Sequence, residues 1–345
     1  MDMFKYVLKR LAFMLLTFLI IISVAFILIR LLPNEPPQQF GKDMQLVLQS
    51  RYRQGLSDIN GNPIPLIQQY GNFLYKTLLK GDWGVSEKLY FGQSCFQIFL
   101  DKLPNTILVN VYSSLLAVPM GLILGIYAAL KKNRWQDHVI STAVMVFTSV
   151  PSFVYASLLL FLVCFKADLL PLNFAAFADI IAAYPEKGYV YTPGTFNWPL
   201  FFNKKMFLSM LPAVFAMSFG SIAGYARYTR AELTEVLTSE FMLLARTKGL
   251  TKSQATVRHA LRNAMVPIFP MIVGEFISVL SGSLVIEKIF SIPGVGGLYL
   301  TAINSQDYDF FMMLSGFYLL VGLAAGLVID LSYGVIDPRI RMGAK

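Results

Sequence analysis

The sequence predicts an all-α membrane protein of six transmembrane helices with both termini in the cytoplasm. Its 345 residues are 56% hydrophobic and only 14% charged, whereas soluble domains carry about 25% charged residues. The mean hydropathy of +0.58 is spread over several separate apolar blocks, each close to the roughly 20 residues that cross a bilayer as a helix. These observations exclude an ordinary soluble globular protein.

The first apolar block follows Lys5, Lys9 and Arg10, as the apolar region of a signal peptide would. It is longer than such a region, and residues 30–33 after it contain no small-residue cleavage site. We therefore expect it to remain as the first span. The six spans are expected at about residues 11–32, 106–130, 139–163, 207–224, 266–286 and 311–332.

The distribution of basic residues predicts the orientation of these spans. With the N-terminus inside, 16 of the 29 Lys and Arg residues fall in the cytoplasmic segments, which are 1–10, 131–138, 225–265 and 333–345. Membrane proteins carry such an excess on the cytoplasmic side, so both termini are expected there. Topology also explains the net charge of +9, and we expect no nucleic-acid partner.

The external segments divide the chain into two parts. Residues 1–105 comprise the first span and a turn-rich cap, in which amphipathic stretches near 64–80 and 94–103 predict short helices. Residues 106–345 form a five-helix core, whose external segment 164–206 combines prolines with many aromatic residues, as a packed interfacial loop does. The predicted external segments are 33–105, 164–206 and 287–310.

The cytoplasmic segment 225–265 is far longer than a connection between spans needs to be. Ser239 and Gly249 can cap the two ends of a helix over about 240–248, because serine suits a helix start and glycine accepts a positive φ at a helix end. Thr251-Lys252-Ser253-Gln254 has the spacing of a capping box. The segment therefore predicts a helix, a sharp turn and a second helix.

The first of these two helices would be short and amphipathic. Its apolar residues Phe241, Leu244 and Ala245 lie beside basic Arg246 and Lys248. Such a helix can dock in a groove of another protein or lie on lipid headgroups.

Small residues repeat at four-residue spacing in three predicted spans, which permits helices to approach closely. They favour packing either within this bundle or against a partner subunit. Pro119 and Pro151 lie inside spans and are expected to kink them. The repeats are Gly121 with Gly125, Gly274 with Ser278 and Gly282, and Gly322 with Gly326.

Glu275 is the one clear acid near the middle of a predicted span. A charged group there is costly unless it faces water or a partner. It therefore marks a pathway, or it bonds a serine or an arginine of a partner subunit. Other candidates for lining a pathway are Asn110, Ser113, Ser149, Tyr155 and Ser218.

The sequence offers no catalytic or metal site. Its histidines, His138 and His259, and its cysteines, Cys95 and Cys164, are too few for most metal centres. It contains no glycine-rich phosphate loop followed by lysine, so ATP would have to be hydrolysed by other subunits. We expect no cofactor and no catalytic residue in this chain.

Two stretches of the cytoplasmic segment resemble the signature of ABC importer permeases, in the branch that serves dipeptides, oligopeptides and nickel. They read Ala-Arg-Thr-Lys-Gly-Leu at 245–250 and Arg-His-Ala-Leu-Arg-Asn-Ala at 258–264. The glutamate of the wider family's Glu-Ala-Ala-x-x-x-Gly loop aligns with Leu243, so this chain departs from that pattern. Further matching stretches lie at 81–86, 103–106, 150–153, 287–296 and 337–341.

The resemblance implies a type I ABC importer permease fold and a transport role without enzymatic activity. The chain would form half of the translocation pathway of an ATP-driven, binding-protein-dependent importer of di- and oligopeptides, in the bacterial cytoplasmic (inner) membrane. Glu275 could then contact the amides or the ammonium of a peptide. The implied partners are a second homologous permease, two ATPase subunits that bind ATP and Mg, an extracellular or periplasmic solute-binding protein, and lipid. The implied ATPase contacts are Glu240, Phe241, Leu244, Ala245, Arg246, Lys248, Gly249 and Leu250.

Other functions stay open at this point. The same assembly could import nickel chelates or oligosaccharides. A stand-alone channel or secondary transporter needs no ATPase docking helix and should carry more intramembrane charge or broken helices. An intramembrane enzyme needs paired polar groups at membrane depth, and the sequence shows no such pair.

Overall fold

The computed structural model describes residues 3–33, 43–191 and 198–336, with side chains over 5–33, 43–191 and 198–334. Three features discussed above therefore lie outside the described residues. They are the proline-rich start of the cap at 34–42, part of the external segment at 192–197, and the C-terminal motif at 337–341.

Helices make up most of the described chain, and a two-residue antiparallel hairpin is its one small sheet. The elements of the first part are α1 (Met3–Leu31), α2 (Met44–Arg53), α3 (Leu66–Leu74, continued by a π-helix at Tyr75–Leu79), β1 (Val85–Ser86) and β2 (Gln93–Ser94). The central elements are α4 (Cys95–Leu130), α5 (Trp135–Ser149), α6 (Ser152–Leu159, continued by a π-helix at Leu160–Lys166), α7 (Phe177–Ala183), α8 (Trp198–Phe201) and α9 (Lys204–Leu237). The last elements are α10 (Glu240–Thr247), α11 (Lys252–Ala255, continued by a π-helix at Thr256–Ala260), α12 (Leu261–Ser278), α13 (Leu284–Ile289), α14 (Leu298–Asn304) and α15 (Tyr308–Ile336).

Among the described residues, five continuous helical segments are long and apolar enough to cross a membrane, and a bent pair supplies a sixth crossing if its halves count as one span. The bent pair is α5 with the α6 segment, which meet at 101°. Val150 between them is extended, with φ −84° and ψ 128°, because a residue before proline is driven out of the α-helical region. Pro151 thus breaks the third span instead of only kinking it.

The second span begins earlier than the sequence indicated. α4 runs from Cys95 through Pro104 to Leu130 without interruption, so the separate cap helix predicted at 94–103 is wrong. This helix also crosses the boundary that was placed at residue 105. The cap that precedes α4 therefore continues into the second span.

α4 and α9 form the closest helix pair, at the positions of Gly121 and Gly125. A Cβ atom on Gly125 would lie 2.6 Å from the Thr229 Cβ and 2.7 Å from the Ala226 carbonyl oxygen. Such distances leave room only for hydrogen, so the glycines allow the two backbones to touch. This confirms that Gly121 and Gly125 pack within the bundle.

The fifth span ends earlier than predicted, at Ser278, and a turn follows in which Gly282 has φ +67°. Gly282 therefore does not continue a helical face with Gly274 and Ser278, and that part of the expected stripe is wrong. Gly274 packs on α15, where a Cβ would lie 3.2 Å from the Ile329 Cδ1. Ser278 is exposed.

Gly322 and Gly326 of α15 do not pack against the rest of the described chain. A Cβ at either position would meet no other heavy atom within 4 Å. They border a groove of about 230 Å³ between α1 and α15. The α15 surface at these two glycines can therefore contact lipid or a partner subunit.

The cap is folded and fixed to one end of the bundle. The buried Glu87 carboxylate accepts bonds from Ser50 and from both the Nε and one terminal nitrogen of Arg53, at 2.7 to 3.0 Å. At the start of α15, Asp307 accepts from the Ser86 hydroxyl at 2.5 Å and from the Lys88 backbone at 3.1 Å. These bonds attach the cap to the last span.

The external segment after α6 is also packed, as expected. Its buried residues Phe174, Ile180, Leu200 and Phe201 share one hydrophobic cluster with Met210 of α9 and further residues of α4 and α13. The segment therefore forms part of the wall of the bundle in its described residues.

Candidate functional site

The helix predicted at 240–248 is present as α10, at the end of the bundle opposite the cap. Gly249 follows it with φ +91°, which confirms a helix end that favours glycine. The capping box is confirmed as well, because Thr251 accepts from the Gln254 backbone and Gln254 accepts from the Thr251 backbone. Ser239 does not cap α10, since its hydroxyl donates to the Val236 carbonyl at 2.6 Å.

The burial pattern of α10 differs in one respect from the amphipathic pattern predicted. Ala245 was placed with the docking residues, but it is buried together with Met242, against Ala129, Leu233 and Ala255. These contacts fasten α10 to the ends of α4 and α9. The buried side of α10 is therefore its attachment to the bundle.

The opposite side of α10 is exposed and apolar at its centre. Phe241, Leu243 and Leu244 are 42%, 66% and 55% exposed. Leu243 was missed as a docking residue, because only the three-dimensional packing of Met242 shows which side of so short a helix faces outward. We call this the α10 surface, and its charged border consists of Glu240, Arg246 and Lys248, all exposed.

α9 connects this surface to the distant end of the bundle. Its 34 residues run without a break, which at 1.5 Å per residue gives a rod of about 50 Å. Leu233, near its last turns, is fully buried in the cluster that holds α10. α10 is therefore packed directly on the last turns of α9.

One side of α9 is open along the middle of the bundle. Gly220 and Gly224 lie one above the other on this side, as residues at i and i+4 of a helix do, and Ser221 lies at its edge. A Cβ at Gly224 would meet nothing within 4 Å, and one at Gly220 would meet only the Tyr155 hydroxyl, at 3.2 Å. We call this the α9 face.

Glu275 and Tyr155 lie at the two borders of the α9 face. Ser221 donates to the Glu275 Oε1 at 3.0 Å, and the carboxylate is partly exposed. No ion pair to Glu275 is formed within the described residues. Tyr155 packs on Phe147 and Phe219, with ring centres 5.9 and 5.8 Å apart. Glu275 thus borders the α9 face at Ser221, and the aromatic cluster of Tyr155 borders it at Gly220.

The structure places three of the predicted pathway residues elsewhere. Asn110, Ser113 and Ser218 are 7%, 4% and 0% exposed. Asn110 donates to the Val279 carbonyl at 2.7 Å, and the Ser113 and Ser218 hydroxyls are 3.2 Å apart. These polar groups bond helices to one another, so the expectation that they line an open pathway is corrected. Ser149, at the end of α5, is exposed.

Glu287 is a buried acid whose role was not recognised from the sequence, although its motif was. Its carboxylate accepts from the Thr106 hydroxyl and the Gly296 backbone, both at 2.8 Å. Gly294 leaves space for this group, because a Cβ there would lie 2.6 Å from the Glu287 carboxyl carbon. Burial raises the pKa of Glu287. The carboxylate thus holds the loop after α13 against the first half of α4.

Cys95 and Cys164 are both buried and not bonded to each other. Within the described residues, no three His, Cys, Asp or Glu side chains lie together as metal ligands would. His138 begins α5 beside Asp137, and His259 lies in the π-helix that precedes α12. The structure therefore gives these residues no shared site.

The chain is similar to known transport proteins over nearly its whole length. The family model for the inner membrane component of binding-protein-dependent transport systems matches residues 121–342. Identity is 31% to the dipeptide transport system permease protein DppB of Bacillus subtilis, over 99% of this chain and 100% of that protein. It is 30% to the oligopeptide transport system permease protein OppB of Escherichia coli K12, over 98% and 100%.

A third relative is the glutathione transport system permease protein GsiC of Salmonella choleraesuis, at 29% identity over 98% of this chain and 99% of that protein. All three relatives are transport permeases, and the family is not an enzyme family. The spans, the α10 surface and the family model agree with one another. The chain therefore belongs to the family of inner membrane components of binding-protein-dependent ABC transport systems and is a multi-pass permease of the inner membrane.

Proposed function

We propose that this chain is one of two permease subunits of an ATP-driven importer for di- and oligopeptides. The observation that carries the proposal is the α10 surface, an exposed apolar patch on a short helix that is fixed to the ends of two long spans. The names of the relatives support peptides as the substrate class. A second, similar permease, two ATPase subunits and a solute-binding protein would complete the assembly.

Phe241, Leu243 and Leu244 form the contact with the ATPase in this proposal. Exposed apolar residues at the centre of a charged border are typical of a protein interface. They lie on the same side of the bundle as the basic segments, so α10 and both termini are assigned to the cytoplasm. The cap is then external, where a solute-binding protein delivers the substrate.

The α9 face is the proposed wall of the pathway. A charged residue within a span normally faces water or a partner. Glu275 bonds Ser221, close to Gly224, where a Cβ would meet no neighbour within 4 Å. Its carboxylate can accept from the ammonium or the amides of a peptide. When ATP binding draws two ATPases together, α10 and α9 would move and expose this face to the outside.

The test is a purification from native membranes in mild detergent, followed by a peptide uptake assay. We expect the tagged chain to retain two ATPases and a homologous permease. Leu243→Asp should lose the ATPases, because it places a charge in the apolar contact. Leu79→Asp is the matched control, since Leu79 is 76% exposed but lies in the cap.

Two results would contradict the proposal. One is recovery of the chain without any ATPase under the gentlest extraction. The other is a complete assembly that takes up no di- or oligopeptide when ATP and the binding protein are supplied. Uptake of a nickel chelate or an oligosaccharide by the same assembly would correct the substrate class alone.

A further inference from the structure

The α10 end of the bundle contains an ion pair that the proposed function does not use. The Arg230 Nε and one of its terminal nitrogens donate to the two oxygens of Asp137, at 2.5 and 2.8 Å. Asp137 is 1% exposed and also accepts from the Asn133 backbone at 2.9 Å. Both carboxylate oxygens are therefore occupied, and the pair fixes the orientation of the two groups as well as their distance.

The pair joins two parts of the bundle that have different tasks. Arg230 lies on α9, three residues before Leu233, which is buried in the cluster that holds α10. Asp137 lies in the first turn of α5, the first half of the broken span. The ion pair is thus the polar connection between the helix that carries α10 and the helix that leads to the break.

The second half of the broken span, α6, contacts the α9 face. After the 101° bend, Tyr155 of α6 lies over Gly220 and packs on Phe219. α5 and α6 therefore follow α9 from the ion pair up to the aromatic border of the proposed pathway. A change of angle at Pro151 would move Tyr155 relative to Glu275.

We propose that the Asp137–Arg230 pair transmits the movement of α10 to the broken span, so that Tyr155 moves when the ATPases close. This inference rests on the proposed function and adds a positioning role for two residues that touch neither ATPase nor peptide. α4 would move together with α9, because the glycine contacts at Gly121 and Gly125 join the two backbones closely. α5 packs on α9 through Val144 and Ala226, and at the α10 end the directional ion pair is added to this apolar contact.

The experiment measures ATP hydrolysis and peptide uptake by the complete assembly in proteoliposomes. In Asp137→Asn we expect hydrolysis to persist while peptide uptake per ATP falls by about tenfold, the size of a typical coupling between two sites. In Arg230→Lys, peptide uptake per ATP should fall less, because lysine keeps the positive charge but cannot form the two parallel hydrogen bonds. Exchange of the two residues, Asp137→Arg with Arg230→Asp, should restore part of the uptake per ATP.

Asp330→Asn is the matched control. It makes the same change from carboxylate to amide in the Arg10–Asp330 pair, which joins α1 to α15 with a nitrogen-to-oxygen distance of 3.0 Å. The side chains of this pair are 48% and 34% exposed. Uptake per ATP should stay at the wild-type level in this variant.

Three outcomes would overturn the inference. The first is an Asp137→Asn assembly with wild-type uptake per ATP, and the second is an equal loss in Asp330→Asn. The third is failure of Asp137→Asn, Arg230→Lys and the exchange all to assemble, which would make the pair a folding element only. If the wild-type assembly itself takes up no peptide with ATP, the proposed function fails instead, so the two failures are distinguishable.

Discussion

Gly249 has φ +91°, and a Cβ at this position would meet nothing within 4 Å. A substitution is therefore disfavoured by the backbone conformation and not by a clash. A β-branched residue at positive φ costs at least about 1 kcal/mol, and the strain would be relieved by changing the direction in which α10 projects.

We expect Gly249→Val to abolish peptide uptake while the chain still inserts into the membrane. Gly249→Asn is the control, because asparagine tolerates the left-handed region better than other residues. Uptake per inserted chain, measured in membrane vesicles, separates the two variants. Normal uptake by Gly249→Val would show that the direction of α10 does not matter for coupling.

Thr106 is a second position where a single side-chain hydroxyl stabilises the local structure. Its hydroxyl donates to the buried Glu287 carboxylate and accepts from the Val295 backbone at 2.9 Å. Thr106→Val removes both bonds while keeping the shape, and it leaves a buried carboxylate with one donor fewer.

We expect Thr106→Val to destabilise the folded chain by about 1–3 kcal/mol, the cost of leaving buried polar groups without partners. The apparent unfolding temperature in detergent should fall, and Thr106→Ser should restore most of it. Equal unfolding temperatures for valine and serine would mean that the hydroxyl contributes nothing to the loop after α13.

At the scale of elements, the contact of α4 with α9 depends on the lack of side chains at two glycines. The Cβ added by Gly125→Ala would lie 2.7 Å from the Ala226 carbonyl oxygen. Because that neighbour is backbone, the helices must separate. We expect a loss of about 1–3 kcal/mol in stability, as for other overpacked cores.

Gly326→Ala is the matched control for this prediction, since a Cβ there would meet no neighbour within 4 Å. Thermal unfolding of the isolated chain should be unchanged or slightly raised by it, because alanine favours a helix more than glycine does. A comparable loss of stability in both variants would therefore mean that the contact of α4 with α9 is not responsible.

Elements with local signals were predictable, and those that depend on distant contacts were not. The end of α10 and the turn that follows it were predictable from Gly249 and the Thr251 capping box, which act within one turn of helix. The end of α12 at Ser278 was missed because apolar residues continue to residue 286, although the turn signal Ser281-Gly282-Ser283 interrupts them. The start of α4 at Cys95 was missed because the amphipathic stretch 94–103 was assigned to the cap as a separate short helix.

The residues of the candidate site show the same difference between local sequence signals and distant contacts. Glu275 was found because a charge within a span is conspicuous in sequence. Ser218 and Ser221 are chemically alike, yet Ser218 is fully buried beside Ser113 while Ser221 faces Glu275. Only the rotation of α9 against α4 distinguishes these serines, and sequence does not encode that angle locally.

At the scale of the whole molecule, this difference gives a direct test of the pathway. Ser221 and Ser218 lie about one helical turn apart on α9, but Ser221 bonds Glu275 whereas Ser218 is fully buried beside Ser113. The native cysteines are 0% and 3% exposed, so the background reaction should be small. We expect a charged, water-soluble thiol reagent to label Ser221→Cys in the assembled permease and to leave Ser218→Cys unlabelled.

An uncharged, lipid-soluble thiol reagent completes the experiment, because it separates a water-filled face from a lipid-facing one. If only this reagent labels Ser221→Cys, the α9 face points to lipid and the pathway lies elsewhere. If the charged reagent labels it, and the rate changes when ATP and loaded binding protein are added, the face opens and closes with transport. Glu275, which bonds Ser221 directly, would then lie where peptide and water pass.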